Sequence, residues 1–184
     1  MRVISGKLKG RKLLGYNTLG TRPTMDRVKE SMFASIQDYI DNSIVLDLFS
    51  GTGSLGIEAI SLGANKCYFV DNGKEIMKYL NKNINSLNIS NKSIILNKDY
   101  KEALLYFKNN NIKFNIILVD APYKMNIMNE VINLVNKYEL LYNNGILVLE
   151  YSTDILLDNY NNLKLIKKKK YNDKYVNIYC KVID

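Results

Sequence analysis

Residues 44–56, IVLDLFSGTGSLG, constrain the fold of this chain more than any other stretch. The apolar run predicts a buried strand, and Ser50-Gly51-Thr52-Gly53 then leads into a helical pattern that begins near Ser54. The two glycines permit positive φ and leave no Cβ in the way, so a ligand can lie against backbone amides at the helix N-terminus. We predict that a nucleotide-like ligand binds there.

An acidic residue follows this turn at the distance that dinucleotide-binding folds use. Gly51-x-Gly53-x-x-Gly56 matches their fingerprint, and Asp71 closes the next strand, CYFVDN, about twenty positions later. Asp47 stands inside an apolar strand, where a carboxylate is costly unless it is paired or hydrogen-bonded. Because the carboxyl ends of parallel strands face one crevice, we expect Asp71 and Asn72 to border a ligand site. The glycines alone would also suit a tight turn that binds nothing.

Apolar strands alternate with helical patterns from residue 44 onward, which predicts a doubly wound α/β fold with a parallel sheet. The runs 163–170 and 175–182, joined by the turn 171–174, predict a terminal antiparallel hairpin. Residues 2–16 predict a small basic β-hairpin, and Arg22-Pro23-Thr24 opens a helix. We therefore divide the chain into an N-terminal β-hairpin extension, residues 1–20, and a main domain, residues 21–184. The predicted strands are 44–49, 66–71, 93–97, 115–119 and 145–150, and the predicted helices are 54–62, 73–87, 101–109 and 125–140.

Basic residues are concentrated at the two ends of the chain, whose 184 residues carry a formal net charge of +8. Lys and Arg outnumber Asp and Glu by eight to two through residue 30 and by seven to two from residue 164, against eleven to fourteen in between. Both ends would attract a polyanion such as nucleic acid. Solvated lysines in a biased composition explain part of this excess, but they explain the arginines near the N-terminus less well.

Composition also excludes several chemistries. The chain has no histidine, which rules out a Ser-His-Asp triad, a Cys-His pair and a histidine-ligated metal. Its two cysteines lie far apart in predicted strands, so we expect neither a disulfide framework nor a cysteine metal site. No stretch reaches the roughly eighteen apolar residues of a membrane span, and the N-terminus has no apolar leader region. We expect a soluble, cytoplasmic protein.

A third carboxylate emerges at the same edge of the predicted sheet, where the strand FNIILV runs into Asp120-Ala121-Pro122-Tyr123. Because Ala121 precedes a proline, it is biased to an extended conformation that would aim its carbonyl out of the turn. Asp120 and that carbonyl offer two adjacent acceptors, and Tyr123 offers a flat face. Together they suit a planar base with an exocyclic amino group. An Asp-Pro turn with a packing tyrosine is the simpler alternative.

The motifs VLDLFSGTG, FVDN, KDY and DAPY, in this order and spacing, resemble those of class I S-adenosylmethionine-dependent amino-methyltransferases. RVISGKLKGRKL and TRPTMDRVKESMF resemble the opening of the bacterial 16S ribosomal RNA guanine-N(2)-methyltransferases of the RsmD type. The resemblance covers nearly the whole chain. It implies a Rossmann-like, mainly parallel sheet of seven strands and a monomer. It also implies in-line transfer of a methyl group from S-adenosyl-L-methionine to the N2 amine of a guanine, in 16S RNA of an assembling small subunit.

The resemblance also implies a role for individual residues. Asp120 and the Ala121 carbonyl would hold the N2 amine beside Pro122, and Tyr123 would stack on the guanine. The family has two prolines where this chain has Ala121 and Pro122, which leaves the orientation of the guanine open. No metal or covalent intermediate is needed. The residues expected to bind the cofactor are Asp47, Phe49, Ser50, Gly51, Thr52 and Gly53 for the methionine part, Asp71 and Asn72 for the ribose, Asp99 and Tyr100 for the adenine, and Thr24 and Arg22 for the carboxylate. The residues expected to contact RNA are Arg2, Lys7, Lys9, Arg11, Lys12 and Arg27.

Other readings of the same motifs stay open. A DNA adenine or cytosine amino-methyltransferase shares the Asp-x-Pro-Tyr logic, but it usually carries a recognition domain for which 184 residues leave little room. A base C5-methyltransferase needs a cysteine near the fourth strand, and a protein glutamine methyltransferase would favour Asn at position 120. An NAD-dependent oxidoreductase fits the glycines and Asp71. A non-catalytic RNA-binding ribosome assembly factor would use the basic ends without Asp120.

Overall fold

The described residues form eight strands and five helices. The structure is a computed structural model that describes residues 1–15, 23–122 and 125–182, without the side chains of 23–25. The strands are β1 (Ile44–Leu48), β2 (Lys66–Asp71), β3 (Ser93–Asn97), β4 (Phe114–Asp120), β5 (Leu141–Tyr151), β6 (Asn159–Tyr160), β7 (Leu163–Tyr171) and β8 (Lys174–Lys181). The helices are α1 (Pro23–Ile36), α2 (Ser54–Ser61), α3 (Lys74–Ser86), α4 (Tyr100–Asn109) and α5 (Met128–Lys137). None of these helices has the length and apolar content needed to cross a bilayer.

All the strands belong to one sheet, in the order β3-β2-β1-β4-β5-β8-β7-β6. Strands β1 to β5 are parallel, whereas β8 is antiparallel to β5 and β7 is antiparallel to β8. The predicted α/β fold with a terminal antiparallel hairpin is confirmed. Within the described residues the sheet has eight strands instead of the expected seven, because the two residues of β6 pair with Leu163 and Lys164 at its edge.

Two apolar layers cover the two faces of the sheet. Neighbouring residues of β1 separate into different layers, with Val45 in one and Leu46 in the other, because side chains alternate along a strand. Helices α1, α2 and α3 contribute to the layer that contains Val45, and α4 and α5 contribute to the layer that contains Leu46. This arrangement leaves the carboxyl ends of the parallel strands open to form a site.

The carboxyl ends of β1 and β4 meet at the point where the strand order reverses, which is where ligands of doubly wound sheets bind. The turn between β7 and β8 lies at the same edge. Strand β8 runs antiparallel to β5, so its first residues lie beside the last residues of β5, and Tyr151 pairs with Tyr175. The terminal hairpin therefore brings its turn over the end of β4.

Residues 1–15 pack against the layer that contains α1, α2 and α3. Val3 and Leu13 are buried there. The two arms of this segment meet at one antiparallel bridge, between Arg2 and Lys12, and a 3-10 turn forms the tip at Gly6–Leu8. Backbone hydrogen bonds also pair the two arms of the predicted hairpin, from the N–H groups of Val3, Gly10 and Leu13 to the carbonyls of Arg11, Val3 and Met1, respectively. The proposed boundary of this segment with the main domain lies outside the described residues.

A buried ion pair attaches this segment to the helices. Lys29 of α1 and Glu58 of α2 are 5% and 1% exposed, and Lys29 Nζ lies 3.0 Å from Glu58 Oε2. The Glu58 carboxylate accepts hydrogen bonds from the backbone N–H groups of Ile4 (3.0 Å) and Ser5 (2.6 Å). Lys29 donates to the Arg2 carbonyl (2.9 Å). Both charges are therefore satisfied by each other and by the backbone of the segment.

Candidate functional site

A cleft of about 700 Å³ opens at the carboxyl ends of β1, β2 and β4. It lies within the size range of small-molecule sites. Nine of the predicted catalytic and cofactor-binding residues lie on its wall. They are Phe49, Gly51, Asp71, Asn72, Asp99, Tyr100, Asp120, Ala121 and Pro122. The geometry thus brings the ends of three strands, predicted separately from the sequence, into one site.

The glycine turn has the left-handed backbone that its sequence predicts, with φ of 54° at Gly51 and 92° at Gly53. A Cβ built on Gly51 would meet no protein atom within 4 Å, so this backbone faces the open space of the cleft. A Cβ on Gly53 would instead come within 2.5 Å of Leu80 Cδ1. Gly51 therefore leaves room for a ligand, whereas Gly53 allows the helix to pack.

Asp71 holds the glycine turn at a fixed distance from β2. Its Oδ2 accepts from the Gly51 N–H (2.8 Å) and its Oδ1 accepts from the Gly73 N–H (2.9 Å). An ionised carboxylate has about four acceptor positions. Asp71 can therefore keep both backbone contacts and still accept hydrogen bonds from hydroxyl groups of a ligand in the cleft.

Two aromatic rings form an apolar part of the wall. Phe49 has φ of 69°, a left-handed conformation that is costly for a bulky residue and that concentrates at functional sites. Its ring centroid lies 5.3 Å from that of Tyr100, whose hydroxyl donates to Glu130 Oε2 (2.7 Å). Asp99 caps α4 by accepting from the Lys101 N–H (2.9 Å). These side chains suit a flat heterocycle with a polar edge.

Asp120 lies between charges of opposite sign. Glu150 is its register partner on β5, and Lys174 Nζ lies 2.6 Å from Glu150 Oε1. Removal from water, then repulsion from Glu150 and Asp47, raises the pKa of Asp120, while Lys174 lowers it. Asp120 is thus a carboxyl group that holds a proton more readily than an ordinary aspartate.

Asp47 does not line the cleft, and neither do three other predicted cofactor residues, Ser50, Thr52 and Gly53. Asp47 is 1% exposed, and its Oδ2 accepts from the Gly56 N–H (2.8 Å). Burial raises its pKa to about 7, a rise that the hydrogen bond from Gly56 opposes and the charge of Asp71 increases. Asp47 therefore supports the first turn of α2 from beneath.

Two hydroxyl groups of the glycine turn find no partner in the part of the chain that the structure describes. Ser50 Oγ and Thr52 Oγ1 are buried and have no hydrogen-bond partner among the described residues. An unpaired buried hydroxyl costs free energy. A polar ligand that reached this turn would relieve that cost, so the turn fits a ligand with donor and acceptor groups.

The sequence analysis missed one wall of the cleft. Asn172, Asp173 and Lys174 of the β7–β8 turn line it, together with Val28, Val70, Lys98 and Met125. The turn itself was predicted, but its position was not. An antiparallel strand added beside β5 must bring its first residues to the carboxyl edge, so the topology could have indicated this wall.

The residues expected to contact RNA are divided between the cleft edge of the sheet and the opposite edge. The Leu8 N–H donates to Ser61 Oγ (2.9 Å) at the end of α2, and Arg11 Nη2 donates to the Ser86 carbonyl (2.9 Å) at the end of α3. Both helices begin beside the cleft, so the tip with Lys7 and Lys9 lies at the opposite edge of the sheet. Three other residues of this set lie nearer the cleft edge: Arg2, Lys12 and the exposed Arg27. Arg2 Nε lies 3.8 Å from Asp26 Oδ2.

Three predicted site residues remain without a described side chain. Arg22 and Tyr123 lie outside the described residues. Thr24 lies in the first turn of α1, and its side chain is not described. Their roles in binding the cofactor and stacking on the base stay predictions.

Comparisons with known proteins agree over nearly the whole chain. The family model described as Conserved hypothetical protein 95 matches residues 1–180. YlbH of Bacillus subtilis, a candidate rRNA methyltransferase, is 36% identical over 182 residues, 98% of this chain and 99% of that protein. The Ribosomal RNA small subunit methyltransferase D of Haemophilus influenzae is 34% identical over 92% of this chain and 88% of its own. The solved structure of yhhF, a candidate methyltransferase of Escherichia coli, matches with a TM-score of 0.87 at 27% identity and covers 100% of this chain and 99% of that one.

Proposed function

The chain belongs to the Conserved hypothetical protein 95 family, the RsmD type of ribosomal RNA methyltransferase that its motifs resemble, and we propose that it methylates the N2 amine of a guanine in small-subunit ribosomal RNA. The observation that carries this proposal is that Asp120 lines the same cleft as Gly51 and Asp71. A cofactor held by the glycine turn would thus lie beside the carboxylate expected to hold the target amine.

The cofactor is S-adenosyl-L-methionine, which supplies a methyl group on a positively charged sulfur. The cleft fits such a molecule in three respects. Gly51 leaves open space above its backbone, Asp71 has acceptor positions left for the ribose hydroxyls, and Phe49 with Tyr100 offers an apolar wall for the adenine. Asp99, at the start of α4, would accept from the adenine amine.

Asp120 and the Ala121 carbonyl would accept the two N–H groups of the guanine N2 amine. When N2 forms its bond to the methyl carbon, the methyl–sulfur bond breaks and N2 loses a proton. A carboxylate with a raised pKa is a better proton acceptor near neutral pH than an ordinary aspartate. Asp120 would therefore both orient the amine and take up its proton, while positioning lowers most of the barrier.

The test is methyl transfer from labelled S-adenosylmethionine to small-subunit ribosomal RNA, followed by mass analysis of the nucleosides. We expect N2-methylguanosine with the wild type. Asp120→Asn keeps the shape of the side chain but cannot take up a proton, so we expect the rate to fall roughly 100-fold or more. The thermal shift produced by S-adenosylhomocysteine is the control, and it should be unchanged.

Other outcomes would replace this function with a named alternative. Methylated adenine or cytosine in DNA, with unmodified RNA, would make the protein a DNA amino-methyltransferase. RNA binding without transfer would make it an assembly factor. Transfer at the wild-type rate by Asp120→Asn would remove Asp120 from the reaction.

A further inference from the structure

The run of four lysines in β7, Lys167–Lys170, is divided between the two faces of the terminal hairpin. Lys169 donates to Ser31 Oγ (2.9 Å) on α1, so it belongs to the face that packs on that helix. Lys168 and Lys170 lie two residues apart, and alternation along a strand puts them together on the other face. Both are exposed. We call Lys168 and Lys170 the hairpin lysine pair.

Both lysines of the hairpin lysine pair lie near one aromatic ring. Lys168 Nζ and Lys170 Nζ lie 5.7 Å and 5.4 Å from the centroid of the Tyr175 ring. That ring in turn stacks on Tyr151, with 5.4 Å between centroids and 22° between planes. A cation over the face of a tyrosine ring is attracted by the negative charge of the ring face. The two ammonium groups are therefore partly ordered before any partner binds.

The hairpin lysine pair lies beside the mouth of the cleft. Strand β7 leads directly into Asn172, which lines the cleft, and Tyr175 follows Lys174, which also lines it. At about 3.3 Å per residue, Lys170 lies about 7 Å and Lys168 about 13 Å from Asn172 along the strand. A strand of nucleic acid with one base in the cleft and its backbone along β7 would run past both lysines.

The N-terminal tip is much less well situated for this contact. Lys7 and Lys9 lie next to the end of α2, at the opposite edge of the sheet from Asp120. A base in the cleft and a phosphate at that tip would have to span the height of the domain. The hairpin lysine pair needs no such span.

We propose that the hairpin lysine pair binds the phosphate backbone of the RNA strand whose target base enters the cleft. The proposal rests on the proposed function, because it takes ribosomal RNA as the substrate. Lysines along an exposed strand edge also prevent edge-to-edge association. The test must therefore separate RNA affinity from self-association.

The experiment compares the binding of small-subunit ribosomal RNA by the wild type and by Lys168→Gln/Lys170→Gln over a range of salt concentrations. We expect affinity to fall roughly tenfold, and the slope of log affinity against log salt to become shallower by about 1.4 for two lost contacts. The matched control is Lys108→Gln/Lys137→Gln, which removes two exposed lysines near the ends of α4 and α5. This control should retain both the affinity and the slope of the wild type.

The other possible outcomes would overturn either the role of the hairpin lysine pair or the proposed function. Unchanged affinity and slope in Lys168→Gln/Lys170→Gln, while the wild type binds and methylates the RNA, would overturn the proposal and keep the function. If that variant self-associates while its RNA affinity is unchanged, the role of the two lysines is to prevent edge-to-edge association of the sheet. A loss confined to Lys7→Gln/Lys9→Gln would move the contact to the N-terminal tip. A wild type that neither binds nor methylates the RNA would overturn the function as well.

Discussion

The ionisation of Asp120 depends on a few neighbouring charges. Glu150 on β5 and Asp47 on β1 repel its carboxylate, and Lys174 on β8 attracts it. Lys174 Nζ also lies 2.6 Å from Glu150 Oε1 and thereby offsets the charge of the acid that raises the pKa of Asp120 more. The sequence predicted Asp120 from its motif, but Lys174 lies 54 positions later and reaches it only through the pairing of β5 with β8.

Lys174→Met should therefore shift the pH dependence of methyl transfer. Without its positive charge the pKa of Asp120 rises further, so less carboxylate is present at neutral pH. We expect the rising limb of the rate against pH to move to higher pH by roughly one unit. The measurement is kcat at saturating RNA and cofactor across that range. Lys174→Arg keeps the positive charge, so its pH profile should match that of the wild type.

A matched variant separates this effect from a general loss of charge. Lys164→Met removes an exposed lysine from the far end of β7, and its profile should coincide with that of the wild type. If Lys174→Met lowers the rate without moving the limb, then Lys174 acts by contacting the substrate and not through the protonation of Asp120.

Asp47 shows what residue-level reasoning from sequence can reach. A carboxylate in an apolar strand had to be paired or hydrogen-bonded, and the Gly56 N–H is its partner. Asp47 does not line the cleft, and its expected role in holding the cofactor stays a prediction. Residue type indicates that a partner exists, but only the closed turn decides which group it is.

At the scale of the elements, periodicity predicted most strands and helices because each has one clear apolar pattern. The predicted helix 125–140 is shorter, Met128–Lys137, and the predicted strand 145–150 is longer, Leu141–Tyr151. Strand β6 has only two residues, and its extended form depends on pairing with β7. Such a short strand carries no periodic signal of its own. The position of the β7–β8 turn likewise depends on strand order, which is not written in any local pattern.

The attachment of residues 1–15 to the helices depends on the buried pair of Lys29 and Glu58. Lys29→Met leaves the Glu58 carboxylate buried without its cation, so we expect the free energy of unfolding to fall by about 3 kcal/mol or more. The backbone N–H groups of Ile4 and Ser5 donate to Glu58, and their hydrogen exchange should also become faster. Urea denaturation and exchange measured by NMR are the two readouts.

A double-mutant cycle and a surface control make this result specific. Lys29→Met/Glu58→Gln should be less destabilised than the sum of the two single variants, because no uncompensated charge remains. Lys78→Met removes an exposed pair with Glu75 and should leave the stability unchanged. If the two single effects simply add, the pair is not the element that secures the N-terminal segment.

At the scale of the whole molecule, the basic tip of the N-terminal segment, with Lys7 and Lys9, does not share a surface with the terminal hairpin. The tip of the N-terminal segment lies at one edge of the sheet, and the turn of the terminal hairpin lies at the other. Charge counts along the chain predicted an attraction for polyanions but could not distinguish these edges. That distinction requires the direction of each helix and the order of the strands.

The free energy of unfolding should depend on pH through the titration of Asp47. Its pKa rises from 3.8 to about 7 on folding, so the folded state binds this proton more tightly than the unfolded state. The contribution of Asp47 to stability is therefore fully present below about pH 4 and is lost as the pH rises to about 7. Asp47→Asn does not titrate, and its Oδ1 can still accept from the Gly56 N–H.

We therefore expect Asp47→Asn to gain stability relative to the wild type as the pH rises, by about 3 kcal/mol between about pH 5 and about pH 8. Urea denaturation at several pH values measures this difference, in which every group common to both proteins cancels. Asp38→Asn, at an exposed aspartate, is the charge control and should follow the wild type. A difference that stays constant with pH would mean that Asp47 remains ionised throughout this range, and that the hydrogen bond from Gly56 outweighs its burial.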